Sequence, residues 1–195
     1  MIQINSPIER TKVKFIAGIS EAEQFQKWWE QYPKDHQKKI PIGLAMIGRS
    51  NVGKSTLINH LFKQGMARTS KTPGKTKEIN IFEFSLSTSP QEKFFVYDLP
   101  GHGHAKVSHE QKRKWDALLG TFFPLVENWC LGVVIQDARH LSESSDLAFL
   151  SFMKQLSMEL ILVANKIDGL KNQSERHAFN TLYGAFKKLK MVSSV

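Results

Sequence analysis

Apolar and polar positions alternate along this chain at two periods, one suited to strands and one to helices. Residues 40–47 form an apolar run that reads as a strand. Residues 56–62 follow, with Leu57, Ile58, Leu61 and Phe62 on one helical face. Upstream, residues 12–18 alternate in part and predict a strand at one sheet edge. Ser20 and Glu23 have capping-box spacing, and Phe25, Trp28, Trp29 and Tyr32 follow before Pro33 stops the helix. Such periodicity is mainly a core signal, so this aromatic helix is expected to pack onto the domain rather than stack bases. Residues 34–39 make a polar, basic link into the first central strand.

Residues 65–77 are rich in Gly, Ser, Thr and Lys, which predicts a mobile connection. Residues 78–87 and 93–98 read as strands joined by a turn around Ser89 and Pro90, hence an antiparallel pair. A polar loop with three histidines follows. Ser108 and Gln111 again have capping-box spacing, ahead of a helix with Trp115, Leu118, Leu119, Phe122 and Val126 as its buried stripe. The remaining pattern predicts strands at 131–135 and 160–164 and helices at 144–156 and 174–189. In the last helix Ala178, Leu182, Phe186 and Leu189 face inward. Strands alternating with helices imply a three-layer α/β domain: a mostly parallel sheet with one antiparallel strand and helices on both faces. No repeat or linker interrupts the pattern, so residues 1–195 read as one domain with an N-terminal extension of about 35 residues.

Composition adds little until charge is considered. With 41% hydrophobic and 23% charged residues, and no apolar run as long as a membrane span, a soluble protein is expected. The first twenty residues carry charges but no signal-peptide block, which predicts a cytoplasmic location. Cys130 lies alone in an apolar run and is expected to be buried rather than redox-active. Lys and Arg number 27 against 18 Asp and Glu, a net charge of +9, which raises the expectation of a nucleic-acid partner.

Between the strand at 40–47 and its helix stands Gly48-Arg49-Ser50-Asn51-Val52-Gly53-Lys54-Ser55, continued by Thr56. Glycines at these positions let backbone N–H groups curl around phosphate oxygens, and the helix N-terminus adds partial positive charge. Lys54 would reach the outer phosphates, and the Ser55 hydroxyl would ligate Mg2+. Such a loop serves ATPases, kinases and GTPases alike. Asn165-Lys166-Ile167-Asp168 discriminates, lying after a later strand about 110 residues beyond Lys54. Asp168 can accept from guanine N1–H and the exocyclic amine, the Lys166 stem can cover the base, and Asn165 can tie this loop to the phosphate loop. Asp98-Leu99-Pro100-Gly101 completes the set, with Asp98 holding a magnesium-bound water and the Gly101 N–H sensing the third phosphate. Thr76 is the candidate second hydroxyl on Mg2+. Two loops touching one phosphate form a switch that hydrolysis relaxes.

These elements resemble the translation-factor-like P-loop GTPases, and most closely the EngB group (also YsxC or YihA) of ribosome-assembly GTPases. The resemblance rests on the phosphate loop, on Ala67-Arg68-Thr69-Ser70-Lys71-Thr72-Pro73-Gly74-Lys75-Thr76, and on Asp98-Leu99-Pro100-Gly101. It extends through Lys112-Arg113-Lys114-Trp115 and Asp137-Ala138-Arg139-His140 to Asn165-Lys166-Ile167-Asp168. It implies a monomeric GTPase, binding GTP and GDP, that docks on the precursor of the large ribosomal subunit through its RNA and proteins, with links to cell division and septation. No membrane partner is implied. Arg68, Lys71, Lys75, Lys77, Lys106, Lys112, Arg113 and Lys114 flank the two switches. By resemblance Gly74, Lys75 and Thr76 belong to the first switch, and the backbone of Val192, Ser193 and Ser194 reads the guanine oxygen. Asn51 matches a position that helps hold K+ in potassium-stimulated relatives.

The chain departs from the group in two places. The residue after Gly101 is usually aromatic, and here it is His102, which can orient the attacking water. Lys54, Thr76 and His102 are therefore the candidate catalytic residues. Relatives usually continue from the Ser-Ser segment into a final helix, whereas this sequence stops at Val195. His102, His104 and His109 have no cysteine or carboxylate at ligand spacing and do not read as a zinc site. Two other classes stay open: a P-loop ATPase or kinase, and a nucleotide-gated RNA- or protein-binding module with little hydrolysis of its own.

Overall fold

In the computed structural model the described residues are 8, 13–36, 39–62, 65–67, 78–101, 108–140 and 157–187. The strands are β1 (Lys14–Ile19), β2 (Gly43–Gly48), β3 (Ile79–Leu86), β4 (Ser89–Asp98), β5 (Cys130–Asp137) and β6 (Leu160–Asn165). The helices are α1 (Ala22–Asp35), α2 (Lys54–Leu61), α3 (His109–Val126) and α4 (Gln173–Lys187). One six-stranded sheet runs β1-β3-β4-β2-β5-β6. β4, β2, β5 and β6 pair in parallel, and β3 runs antiparallel to both of its neighbours. This is the mixed sheet that the alternating pattern predicts.

Successive residues of the central strands face opposite layers, and both layers are apolar. Ala45, Ile47, Phe95, Tyr97 and Val134 meet Phe25 of α1 and Leu118, Phe122 and Phe123 of α3 in one cluster. Met46, Val96, Phe82 and Ile135 meet Ile58 and Phe62, at and just beyond α2, in the other. Phe122 packs at a tilt against Phe25, with ring centroids 5.0 Å apart, and meets Tyr97 edge-on at 5.5 Å. Each such buried ring contributes about 1.5–3 kcal/mol of transfer free energy. The aromatic helix α1 packs on the domain, as expected.

Local expectations meet mixed outcomes. Ser108 caps α3, its Oγ accepting the Gln111 N–H at 3.2 Å. The box at Ser20 does not form: α1 begins one residue later, behind Glu21, whose side chain makes no cap and instead accepts Lys114 of α3 at 3.1 Å. Pro33 lies inside α1 rather than ending it. It falls in the last turn, and the helix closes three residues later with the His36 N–H on Tyr32 O. The β3–β4 hairpin turns at Ser87 and Thr88, and Ser89 and Pro90 already belong to β4. β2 pairs only with Phe95–Asp98 of β4, so Pro90 lies beyond the reach of that strand. α4 opens with the reciprocal cap that Ser20 lacks: Glu175 N–H donates to Asn172 Oδ1, and Glu175 Oε2 accepts the Lys171 N–H. The helix expected at 144–156 and the end of the one at 174–189 lie outside the described residues, as do the side chains of Ala178, Leu182, Phe186 and Leu189. No helix among the described residues is long and apolar enough to cross a membrane.

Candidate functional site

Four parallel strands finish along one edge of the sheet, and each ends on a residue with a chemical task there. They are Gly48 of β2, Asp98 of β4, Asp137 of β5 and Asn165 of β6. β2 lies between β4 and β5, so successive connections leave it in opposite directions. Open α/β sheets bind ligands in the crevice such a reversal creates.

The loop from Gly48 to Gly53 fills that crevice. Gly53 has φ +104°, and a Cβ on it would strike the Asn165 side-chain amide, so only glycine serves there. At Gly101 a Cβ would lie 2.8 Å from Ser50 N. The chain leaving β4 therefore passes directly over the loop, with Leu99 and Pro100 buried beneath it. Asn51 adopts the left-handed region at φ 64°, which asparagine tolerates better than most residues. Its side chain is exposed.

Lys54, the first residue of α2, turns back under the loop and is only 8% exposed. Its Nζ donates to Gly48 O at 3.3 Å and to Arg49 O at 3.5 Å. Burial lowers its pKa, and the neighbouring Asp98 charge opposes that. Asp98 is 2% exposed; burial raises its carboxyl to about 6, with Lys54 pulling the other way. Among the described residues, its Oδ1 has no hydrogen-bond partner. An orphaned buried carboxylate oxygen beside a phosphate loop fits a hydrated divalent cation, whose bound water supplies the missing donor. Ser55, half-buried in the first turn of α2, offers a hydroxyl of matching hardness, and Thr56 beside it is exposed.

The second loop is fastened to the first. Asn165 Nδ2 donates to Val52 O at 2.8 Å, and Asn165 Oδ1 accepts the Lys166 N–H at 2.9 Å. Lys166 sits at φ 61°, a conformation that costs a non-glycine residue free energy. Its ammonium repays this twice, on Asn51 O at 2.5 Å and on Asp137 Oδ2 at 3.0 Å. Asp168 follows in a short 3₁₀ turn and is exposed.

Asp137 received no role from the sequence, yet it gathers more donors than any of the assigned residues among those described. Arg139 reaches it with Nε at 2.8 Å, a terminal guanidinium nitrogen at 2.6 Å and its backbone N–H at 3.1 Å. Burial alone would push this carboxyl up, but the Arg139 and Lys166 hydrogen bonds hold it well below the usual carboxylate range. The available signal was an aspartate ending a strand two residues before an arginine.

Lys112 and Arg113 are exposed on the first turns of α3, whereas Lys114 is engaged with Glu21. Cys130 is buried and its thiol is pushed up to about 12 by burial, which leaves it unreactive. Gly74, Lys75, Thr76, His102, Val192, Ser193 and Ser194 lie outside the described residues.

The sequence model of a family described as 50S ribosome-binding GTPase matches residues 43–166. A probable GTP-binding protein EngB of Oceanobacillus iheyensis is 35% identical over 76% of this chain and 72% of its own length. Its counterpart from Thermosipho africanus is 41% identical over 72% of this chain and 71% of its own. Among solved structures, a probable GTP-binding protein engB superposes with a TM-score of 0.52 at 22% identity, over 76% of this chain and 79% of that one. An Era variant of Aquifex aeolicus bound to GDP and AlF4− gives a TM-score of 0.58 at 21% identity, over 77% of this chain and 49% of that longer one. The two structures establish the shared fold. The sequence matches, spanning the phosphate loop, Asp98 and the Asn165–Lys166 corner, establish more: this chain belongs to the EngB family of P-loop GTPases.

Proposed function

We propose that this chain is a GTP-binding and GTP-hydrolysing switch that docks on the maturing large ribosomal subunit and aids its assembly. The observation carrying the nucleotide reading is the double tie of Asn165 to Val52 and Lys166 to Asn51. It holds a guanine-reading loop at fixed distance from a phosphate loop. Gly48, Arg49, Ser50, Asn51, Val52, Gly53 and Thr56 would present backbone N–H groups to the phosphates. Lys54 would exchange the carbonyls it now holds for the outer phosphates. Ser55 and Asp98, the latter through water, would hold Mg2+, with Thr76 as second hydroxyl. That ion neutralises charge on the transferring phosphoryl group. Asp168 would accept from the guanine edge, the Val192–Ser194 backbone would read its oxygen, and His102 would orient the water. Asn51 would help hold K+. A cytoplasmic monomer fits this role.

Docking is supported by membership of a family described as 50S ribosome-binding and by the net charge of +9. Sedimentation with ribosomal subunits tests it. The protein should travel with the large subunit in a non-hydrolysable GTP analogue and be released in GDP. No association in either state would overturn the proposal.

Asp98 gives an independent check on the buried acid. Its folded pKa of about 6 exceeds the ordinary 3.8, so between these values the folded, nucleotide-free protein binds the proton more tightly than the unfolded chain. This contribution to stability is complete below 3.8 and is lost as pH rises through about 6. The difference corresponds to about 3 kcal/mol. Asp98→Asn keeps the shape without the charge. Nucleotide-free D98N should match the wild type near pH 4 and exceed its stability by about 3 kcal/mol at pH 7. Parallel denaturation curves at both pH values would refute the assignment of a strained buried carboxylate.

A further inference from the structure

Among the described residues, the carboxylate of Asp137 is fully engaged, while that of Asp168 is open. Asp137 Oδ1 accepts Arg139 Nε and the Arg139 N–H, and Oδ2 accepts the guanidinium terminus and Lys166 Nζ. Among the described residues, no hydrogen bond or ion pair engages the exposed Asp168 carboxylate. Yet Arg139 lies against the turn that carries it. A Cβ on Gly169, the residue after Asp168, would lie only 2.7 Å from Arg139 Cδ. The Asp168 charge is close enough to act on the Arg139 guanidinium.

A guanidinium is a planar fork that matches a carboxylate with two parallel N–H bonds. The two oxygens it would take on Asp168 are the two that must accept guanine N1–H and the exocyclic amine. An Arg139 freed from Asp137 thus becomes a competitor of the base, tethered beside it at high effective concentration. Only the stronger claim of Asp137, set at the end of β5 with its side chain largely shielded from solvent, keeps the fork turned away.

We infer that Asp137 is a positioning residue for guanine recognition, holding Arg139 off Asp168 so that both Asp168 oxygens stay open to the base. The inference rests on Asp168 being the guanine acceptor, and it assigns Arg139 no contact with the nucleotide. It differs in sign from a simple scaffold role, because removing Arg139 should repair the loss of Asp137. Lys166, the other residue Asp137 holds, would cover the base plane and serve guanine and hypoxanthine alike. The ratio of GDP to IDP affinity therefore isolates Asp168: IDP lacks the exocyclic amine.

The test is calorimetric titration of the full chain with Mg2+·GDP and Mg2+·IDP. Asp137→Asn, nearly unchanged in shape, should weaken GDP by about tenfold and IDP by less, so the ratio falls. Arg139→Ala should leave both affinities within about twofold of wild type. The double variant, Asp137→Asn with Arg139→Ala, should recover the wild-type ratio. That recovery would also exclude misfolding as the cause of the first loss. An unchanged ratio in D137N, or a double variant no better than D137N, overturns the inference. Asp168→Ala separates this failure from a deeper one. It must collapse the ratio by itself, and if it does not, the guanine assignment fails and the role of Asp137 with it.

Discussion

Replacing Asp168 by asparagine is expected to turn the site from guanine to xanthine nucleotides. The turn that presents Asp168 is built without its carboxylate: Gly169 N–H donates to Lys166 O at 2.9 Å and Leu170 N–H to Ile167 O at 3.1 Å. The substitution therefore changes what the base meets and leaves the loop in place. Guanine offers two donors to a charged acceptor, each such bond worth about 1.5–3 kcal/mol. An asparagine amide can turn its oxygen to only one of them, and its NH2 then opposes the other. Xanthine carries a carbonyl where guanine has its amine, which that NH2 suits. GTP affinity should fall by about 10²–10⁴ and xanthosine triphosphate affinity should rise. Competition binding with the two triphosphates measures the crossover. Unchanged GTP affinity in Asp168→Asn would remove Asp168 as the guanine acceptor.

Binding to ribosomal RNA is expected to collapse with salt. A net charge of +9 on 195 residues is large, and part of it is presented on one helix end, where Lys112 and Arg113 project from the first turns of α3. Lys114 contributes less, since Glu21 already holds its ammonium. Each phosphate a lysine or arginine neutralises releases condensed counterions, so affinity falls as a power of the salt concentration. With about six phosphates contacted, the loss between 50 and 200 mM salt is about a thousandfold. Removing Lys112 and Arg113 together should lower the slope by about two and weaken binding to all RNA sequences alike. Titrations over that salt range read both effects. A flat response would count heavily against a direct nucleic-acid surface.

The sheet was legible because its strands are buried on both faces, which leaves long apolar runs such as residues 40–47 and 131–135. The phosphate loop was legible because phosphate chemistry demands fixed residue types at fixed spacing. Side-chain competition was not legible. Ser20 and Glu23 have the spacing of a capping box, yet Glu21 starts the helix and spends its carboxylate on Lys114, ninety-three residues away. No local rule contains that contact. Pro33 misleads for a related reason, because a proline in a helix's last turn disrupts little that is not already ending. Asp137 is the clearest case. Its partners lie two and twenty-nine residues away, on the turn after β5 and on the loop after β6, and they meet only because β5 and β6 pair in register with Asp137 opposite Asn165.

The bond from Asn165 to Val52 has a consequence for how strongly a nucleotide is held. Base and phosphates are connected within the ligand by a short, stiff sugar. The two loops that would hold them are likewise connected within the protein, by an amide that Gly53 leaves just enough room to seat. Two rigid pieces of matching length bind as a chelate. Under the proposed assignment, once the phosphates are seated the base would reach its loop without a further search, at an effective concentration set by that fit. Guanosine alone, or a phosphate alone, would meet only half of this arrangement and gain nothing from the other half. The affinity of the whole nucleotide would then be written partly in a contact that never touches it.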